Sequence, residues 1–173
     1  MIDFILSRQS IRKYRKDVPI PREDIFDLLK AAMQAPSAGN EQAWQFIVIE
    51  DKKVLNELEK TQPYAPFLKD VNSAILVCGD LKLEQFKNFW SIDCSAATEN
   101  ILLAAHSKGI GAIWLGIYPM MERVEPTKKI CKLPDHCIPI SLIPLGYPDE
   151  KPVQQLRFDT DRIHLNFFNN KIN

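Results

Sequence analysis

Residues 93–117 read DCSAATENILLAAHSKGIGAIWLGI, and the hydrophobic pattern changes its period within this stretch. From Asp93 to Lys108, small and apolar residues recur at helical spacing, and Gly109 follows where a left-handed residue commonly ends a helix. Ala112 to Ile117 is then apolar and rich in residues that favour strands. The stretch therefore predicts a long helix that leads into a buried strand.

The rest of the chain alternates between helical and extended patterns. Ile25, Leu28 and Ala32 mark one apolar face of a helix that begins after Pro21 and ends before Pro36. Further elements are predicted as strands at Trp44 to Ile49, Ala74 to Cys78 and Ile138 to Leu145, a short helix capped by Asp51, and a helical stretch containing Val124, Ile130 and Leu133. Alternation of this kind indicates a mixed sheet covered by helices.

Length and charge restrict the class of protein. The chain has 173 residues, 46% of them apolar, which fits a single domain over residues 1–173. Its 22 basic residues balance 22 acidic ones, so no overall field draws it to nucleic acid or to an anionic membrane. Because it has no run of about 18 apolar residues and no signal-peptide core, we expect a soluble cytoplasmic protein without membrane or nucleic-acid partners.

The sequence offers few recognisable metal ligands. It contains four cysteines, Cys78, Cys94, Cys131 and Cys137, and three histidines, His106, His136 and His164. The cysteines lie in apolar surroundings without a CxxC pair, so reduced core thiols are expected. A metal site would require one of the histidines to converge with them, and no pair has a recognised ligand spacing. We therefore predict no metal.

An alternating basic segment near the N-terminus is a candidate anion site. In an extended backbone Arg8, Ser10 and Arg12 project to the same side and offer two guanidinium groups and a hydroxyl to one ligand. Planar guanidinium groups bind phosphate oxygens in pairs, so the segment suits a phosphate. The alternative is a solvated basic run or an RNA-binding arm that extends to Lys16.

Two further segments have the composition of ligand-binding loops. Ser37, Asn40 and Gln42 offer hydroxyl and amide groups that can bind the edge of a heterocycle, although ordinary turn chemistry explains them equally well. The segment from Gly109 to Gly116 matches neither a dinucleotide fingerprint nor a phosphate loop. It is consistent with a buried strand, or with a strand that lets a ligand approach the backbone at Gly116.

Taken together, these segments resemble the nitroreductase family. The opening pattern Arg-Arg-Ser-x-Arg-x-Phe/Tyr is similar to Arg8-Gln9-Ser10-Ile11-Arg12-Lys13-Tyr14, and the family's loop is similar to residues 35–44, APSAGNEQAW. Residues 93–100 resemble its central helix, Gly109 to Gly116 its flavin-facing strand, and Leu145-Gly146-Tyr147-Pro148 and Arg157 its last motifs. The resemblance covers nearly the whole chain, with the motifs in the same order.

The resemblance implies an α+β fold of the nitroreductase type, in which helices flank a central mixed, mostly antiparallel sheet. It also implies an intertwined homodimer that exchanges C-terminal tails. Here residues 163–168, IHLNFF, are apolar and look extended, and such a tail requires a surface to cover. From the sequence alone, the surface that the tail covers could equally belong to its own domain or to a partner subunit.

The resemblance further implies an FMN site shared by two subunits. Its residues would be Arg8, Gln9, Ser10, Arg12, Pro36, Ser37, Ala38, Asn40, Gln42, Trp114, Leu115, Gly116 and Arg157. Arg8, Ser10 and Arg157 would hold the phosphate and ribityl chain, Arg12 would lie near the pyrimidine edge, and the Gly116 N–H would face N5. The loop residues would come from the other subunit. Gln9 replaces the family's second arginine, Ala43 its usual proline, and Gln155 a frequent lysine, which would weaken phosphate binding.

The implied activity is that of an FMN-dependent oxidoreductase. NADH or NADPH would give hydride to the flavin, and a small organic oxidant such as a nitroaromatic or a quinone would then use the same slot in a ping-pong cycle. Residues 64–70 and the aromatic residues Phe86, Phe89 and Trp90 could cover the ring, or they could serve core or dimer packing. The alternative is a flavin-binding or redox-sensing protein that does not turn over nicotinamide.

Overall fold

Five strands form one sheet within residues 1–16, 18–155 and 157–171, the part of the chain that the computed structural model describes. The strands are β1 (Trp44–Ile49), β2 (Ser73–Asp80), β3 (Gly111–Ala112), β4 (Leu115–Gly116) and β5 (Cys137–Gly146). The helices are α1 (Ile2–Ser7), α2 (Arg22–Met33), α3 (Lys52–Glu59), α4 (Trp90–Ser107) and α5 (Met121–Ile130). None of the described helices is both long enough and apolar enough to cross a bilayer.

The sheet is antiparallel at each described pairing. Its order is β1-β2-β5-β3, and β4 pairs with the same edge of β5 as β3. All eight residues of β2 are buried, as expected for a central strand that is covered on both faces. Ile75 and Val77 pack with α2 and α4 on one face, whereas Leu76 and Cys78 pack with α3 and α5 on the other. Alternation along the strand thus produces two cores.

Most of the predicted elements are confirmed, and one is interrupted. The strand expected from Ala112 to Ile117 occurs as β3 and β4, which keep one continuous register against β5. Within this register Pro144 stands opposite Ile113, and proline has no N–H to donate to the ladder. The missing hydrogen bond explains the break between β3 and β4. The helix expected from Asp93 begins three residues earlier, at Trp90.

The two ends of the chain differ from the sequence expectation. Helix α1 was not predicted, and it rests on α4 through Phe4 and His106, whose ring centroids are 5.0 Å apart. The extended conformation expected for residues 163–168 is wrong. Leu165 N donates to Asn170 O at 2.7 Å, so the segment turns back on itself and exposes Phe167 and Phe168. The described contacts do not test the expected tail exchange.

Candidate functional site

The segment after α1 is fixed against β3. Ile11 N donates to Ala112 O at 3.1 Å, and the buried Ile11 side chain packs beside Gly111. A Cβ at Gly111 would lie 2.9 Å from Ile11 Cγ2, so a side chain there would displace the segment. The backbone N–H groups of Arg12 and Lys13 both donate to the carboxylate of Glu150. Main-chain bonds therefore set the course of residues 8–13.

A groove of about 330 Å³ opens beside this segment. Its walls include Arg8, Gln9, Gly111, Ala112, Glu150 and Lys151. The Arg8 side chain is 19% exposed, and its Nε lies 3.8 Å from Glu99 Oε1. A guanidinium group has five N–H donors. At this long separation Glu99 leaves most of them available, so the groove presents a largely buried cation that an anionic ligand can reach.

His106 lies on the same groove. Its Nε2 is 2.9 Å from Ser7 Oγ, and its ring packs against Phe4. Burial lowers the pKa of His106, and the positive charge of Arg8 lowers it further. The neutral imidazole is therefore favoured beside Arg8. Nothing in the sequence set this histidine apart from a solvated one at a helix end.

The other predicted residues of the basic segment lie near the groove but do not form its described walls. Ser10 is half-buried, Arg12 is exposed, and both flank the inward-facing Ile11. The Gln9 side-chain amide lies against the main chain of the C-terminal segment, where it can donate to Pro152 O at 2.8 Å. Gln9 therefore tethers the residues that lead towards Arg157, which is itself exposed.

The loop residues Ser37, Asn40 and Gln42 are joined by hydrogen bonds. Gln42 N donates to Ser37 Oγ at 3.1 Å, and Gln42 Nε2 donates to Asn40 Oδ1 at 3.0 Å. Gly39, Asn40 and Gln42 all have positive φ angles, of 51°, 57° and 49°. These conformations turn the chain sharply and leave the polar side chains of Asn40 and Gln42 exposed. Pro36 and Ala38 flank the same turn.

Two buried carboxyl groups hold this loop in place, and the sequence interpretation missed both. Asp93 Oδ1 accepts from Ala38 N at 3.1 Å, and Glu41 Oε2 accepts from Gln85 N at 2.6 Å and Phe86 N at 2.8 Å. Burial raises the pKa of Asp93, the Ala38 bond lowers it, and the nearby carboxyl of Glu41 raises it again. Both residues lie inside the motifs quoted above, but their roles depend on contacts between distant segments.

Gly116 presents backbone groups at the edge of the sheet. The next residue, Ile117, donates its N–H to Ile140 O at 2.9 Å, so the alternation of an antiparallel ladder turns the Gly116 N–H away from β5. A Cβ at Gly116 would have only Met120 Cε nearby, at 3.9 Å. The space beside this glycine is therefore open to a ligand.

Arg123 of α5 is a second residue that the sequence interpretation missed. Its Nη1 donates to Gly116 O at 2.9 Å, and its guanidinium carbon lies 6.0 Å from the ring centroid of Tyr64. Arg123 and Tyr64 both line a second cavity of about 640 Å³ between α3 and α5. Tyr64, at the start of the segment 64–70, is thus connected to the Gly116 edge through the Arg123 side chain.

The aromatic residues considered as a cover divide into two groups. Trp90 is buried beside Gly79, so of the two alternatives given above, packing in the core is the correct one for this residue. Phe86 and Phe89 are 48% and 47% exposed. The Phe86 ring lies against Gly39, where a Cβ would come within 2.1 Å of it. Phe86 therefore covers the backbone of the polar loop.

The site as a whole consists of two groups within the described chain. One is the groove with Arg8 and Gln9, and the other is the polar loop of residues 36–42. Trp114 is half-buried, Leu115 is buried, and Gly116 marks the sheet edge nearby in sequence. The groove's described walls include no loop residue.

Comparison with known proteins identifies the family. The profile described as "Nitroreductase family" matches residues 5–65 and 56–147. The chain belongs to the nitroreductase family. A protein of Methanothermobacter thermautotrophicus named "Putative NADH dehydrogenase/NAD(P)H nitroreductase" is 48% identical over 95% of this chain and 86% of its own length.

Other nitroreductase relatives agree in fold and extent. The solved structure named "FMN-dependent Nitroreductase" from Clostridium difficile superposes with a TM-score of 0.89 at 32% identity, covering 97% of this chain and 100% of that one. A Thermus thermophilus protein named "NADH dehydrogenase" is 30% identical over 92% of each chain. The expected nitroreductase fold is therefore confirmed.

Proposed function

We propose that this nitroreductase binds FMN and uses NADH or NADPH to reduce nitroaromatics, quinones or similar small oxidants. The observation that carries the proposal is the largely buried Arg8 guanidinium in the groove wall. A buried cation is costly unless an opposite charge accompanies it, and Glu99 approaches only at one edge. A phosphate group fits this position. Similarity to the Clostridium difficile protein named "FMN-dependent Nitroreductase" supports FMN as the ligand that carries it.

The remaining donors suit the other parts of FMN. Ser10 and Arg157 would extend the phosphate and ribityl contacts, and Arg12 would stand at the pyrimidine edge. The outward N–H of Gly116, with open space where a side chain would be, would allow the ring to approach the backbone closely. Trp114 and Leu115 would supply apolar surface beside it, and Arg123 would hold the Gly116 carbonyl so that the N–H keeps its direction.

The polar loop would complete the site from a second subunit. Ser37, Asn40 and Gln42 already bond to one another and remain accessible. The chain also exposes large apolar side chains at both ends, among them Ile2, Leu6, Phe158, Phe167 and Phe168. Exposed apolar surface of this extent favours association. A homodimer related by a twofold axis would cover these residues and create two equivalent sites.

Bound FMN would supply the redox chemistry, taking hydride from a nicotinamide and later delivering it to an oxidant. The chain's own residues would bind the flavin, orient it and tune its reduction potential. Arg12 would place positive charge where negative charge accumulates on reduction, and Gly116 would offer a backbone donor without side-chain obstruction. Because one domain provides one stacking slot, the two substrates would have to bind in turn.

Steady-state and anaerobic kinetics test this function. The flavin-loaded protein is first mixed anaerobically with NADH or with NADPH, and bleaching of the flavin absorbance is followed. Turnover with a quinone and with a nitroaromatic should then give parallel double-reciprocal plots. Intersecting plots would contradict the single slot. Retained FMN without any reduction by either nicotinamide would favour a flavin-binding or redox-sensing protein instead.

A further inference from the structure

Three possible metal ligands converge at one end of the sheet, away from the groove. Pairing of β2 with β5 places Asp80 directly opposite Cys137, and Leu81 N donates to His136 O at 2.9 Å, which extends the pairing by one step. One carboxylate oxygen of Asp80, one ring nitrogen of His136 and the Cys137 sulfur all lie within 4.8 Å of one another. His136 Nε2 is 3.8 Å from Asp80 Oδ1.

Hydrogen bonds hold the Asp80 carboxylate in a fixed orientation. Its Oδ1 accepts from Lys82 N and its Oδ2 accepts from Gln45 Nε2, both at 3.0 Å. Asp80 and Cys137 are 7% and 6% exposed, whereas the His136 side chain is 29% exposed and leaves a route from solvent. Hydrogen bonds to a ligating carboxylate fix its orientation and are a regular feature of metal sites.

We propose that Asp80, His136 and Cys137 bind one Zn²⁺ per chain. Mixed oxygen, nitrogen and sulfur ligands match the preference of zinc, and a water molecule would complete a tetrahedral set. Ideal bonds would place the ligand atoms about 3.3–3.6 Å apart, which requires only a small inward rotation of the side chains. The thiol proton would leave as zinc binds, so the carboxylate and thiolate together would balance the charge of the ion.

The proposed zinc site is connected to the polar loop through the backbone. Asp80 N donates to Ala43 O at 3.0 Å, and Gln45 reaches Asp80 from β1. Ala43 immediately follows the polar loop of residues 36–42. A bound zinc ion would therefore clamp the ends of β2 and β5 together with the backbone that leaves the loop.

Zinc titration of the flavin-loaded protein tests the proposal. Isothermal calorimetry should give one Zn²⁺ per chain with proton release, and X-ray absorption should show one sulfur at about 2.3 Å and the remaining ligands at about 2.0–2.1 Å. His136→Gln and Cys137→Ser should abolish stoichiometric binding, and Gln45→Ala should weaken it by about 10- to 100-fold. Cys131→Ser, which alters a cysteine outside the ligand set, should bind zinc as the wild type does.

Several results would overturn the site: no stoichiometric zinc, bound zinc without a sulfur ligand, or unchanged affinity in His136→Gln. Thermal unfolding with and without zinc guards against misfolded variants, because zinc should raise the wild-type Tm and leave that of His136→Gln unchanged. Since His136 is partly exposed, its substitution decides the question even if Cys137→Ser fails to fold. No readout depends on nicotinamide turnover, so this proposal and the proposed enzymatic function can fail separately.

Discussion

The Ala38 backbone N–H donates to Asp93 Oδ1 across 3.1 Å, which joins the polar loop to the first turn of helix α4. Asp93 is buried, and its second carboxylate oxygen has no partner among the described residues. In the neighbouring Glu41 carboxyl, one buried oxygen likewise accepts no hydrogen bond from the described part of the chain. The loop is thus anchored by two acidic groups, and burial together with the nearby Glu41 raises the pKa of Asp93.

Asp93→Asn should stabilise the protein increasingly as pH rises. Burial and Glu41 raise the pKa of Asp93 above that of the unfolded chain, so its favourable contribution is present at low pH and is lost as pH rises through the raised pKa. Asparagine keeps the acceptor for Ala38 and removes the charge. The difference in Tm between variant and wild type, measured at several pH values, should grow, with about 2–4 °C for each kcal/mol. A difference that stays constant with pH would contradict this, and Asp149→Asn, which changes an exposed carboxyl group in the same way, is the matched control.

Arg8→Ala should weaken FMN binding. Loss of a hydrogen bond to a charged group costs about 1.5–3 kcal/mol, which corresponds to roughly 10- to 150-fold in affinity. Fluorescence titration of FMN into flavin-free protein measures the change. Arg15→Ala removes an exposed charge from the same basic run and should have little effect. Equal losses in both variants would indicate general electrostatic attraction rather than a contact at Arg8.

Two glycine substitutions should separate stability from ligand binding. Gly111→Ala places a Cβ 2.9 Å from Ile11 and 3.1 Å from Gly146 O, so it should destabilise the fold by about 1–3 kcal/mol. Gly116→Ala meets nothing closer than 3.9 Å and should leave Tm nearly unchanged. Flavin affinity and turnover should nevertheless fall in Gly116→Ala, because the new methyl group occupies the space through which the flavin would approach the backbone. Wild-type flavin affinity and turnover in Gly116→Ala would remove this edge from the site.

Arg12→Ala should lower the reduction potential of bound flavin. The lost stabilisation of the reduced ring, about 1.5–3 kcal/mol, corresponds to roughly 30–65 mV for a two-electron couple. Because Glu150 holds Arg12 through its backbone N–H, truncating the side chain should preserve the local chain path. Arg12→Lys should keep part of the effect, and Lys13→Ala should have none. Potentiometric titration decides, and an unaltered potential in Arg12→Ala would place its side chain elsewhere.

Deletion of the C-terminal tail from Phe158 onward should abolish both dimerisation and flavin binding. Phe158, Phe167 and Phe168 are 82%, 77% and 81% exposed, which is unfavourable unless a partner covers them. The milder double substitution Phe167→Ser and Phe168→Ser should weaken association without shortening the chain. Light scattering and released-flavin chromatography provide the readouts. A truncated monomer that keeps its FMN would refute the shared site.

Local signals account for the elements that the sequence predicted correctly. Strand β1 and helix α3 occur where β-branched residues and the Asp51 cap indicated them, and Asp51 accepts from Lys53 N at 2.7 Å. Contacts between distant segments explain the differences. The break between β3 and β4 depends on the β5 residue opposite Ile113. The folded-back tail depends on a bond from Leu165 to Asn170.

The sequence by itself determined the family, because its motifs resemble those of nitroreductases and stand in the same order. It also determined most helices and strands and the two segments that carry candidate ligand groups, because periodicity and turn chemistry act over a few neighbouring residues. Only the tertiary structure showed that Arg8 lies in a groove wall, that Asp93 and Glu41 anchor the loop, and that Asp80 faces Cys137. These relations join residues that are tens of positions apart. They are set by strand register and burial, which no local pattern of side chains encodes.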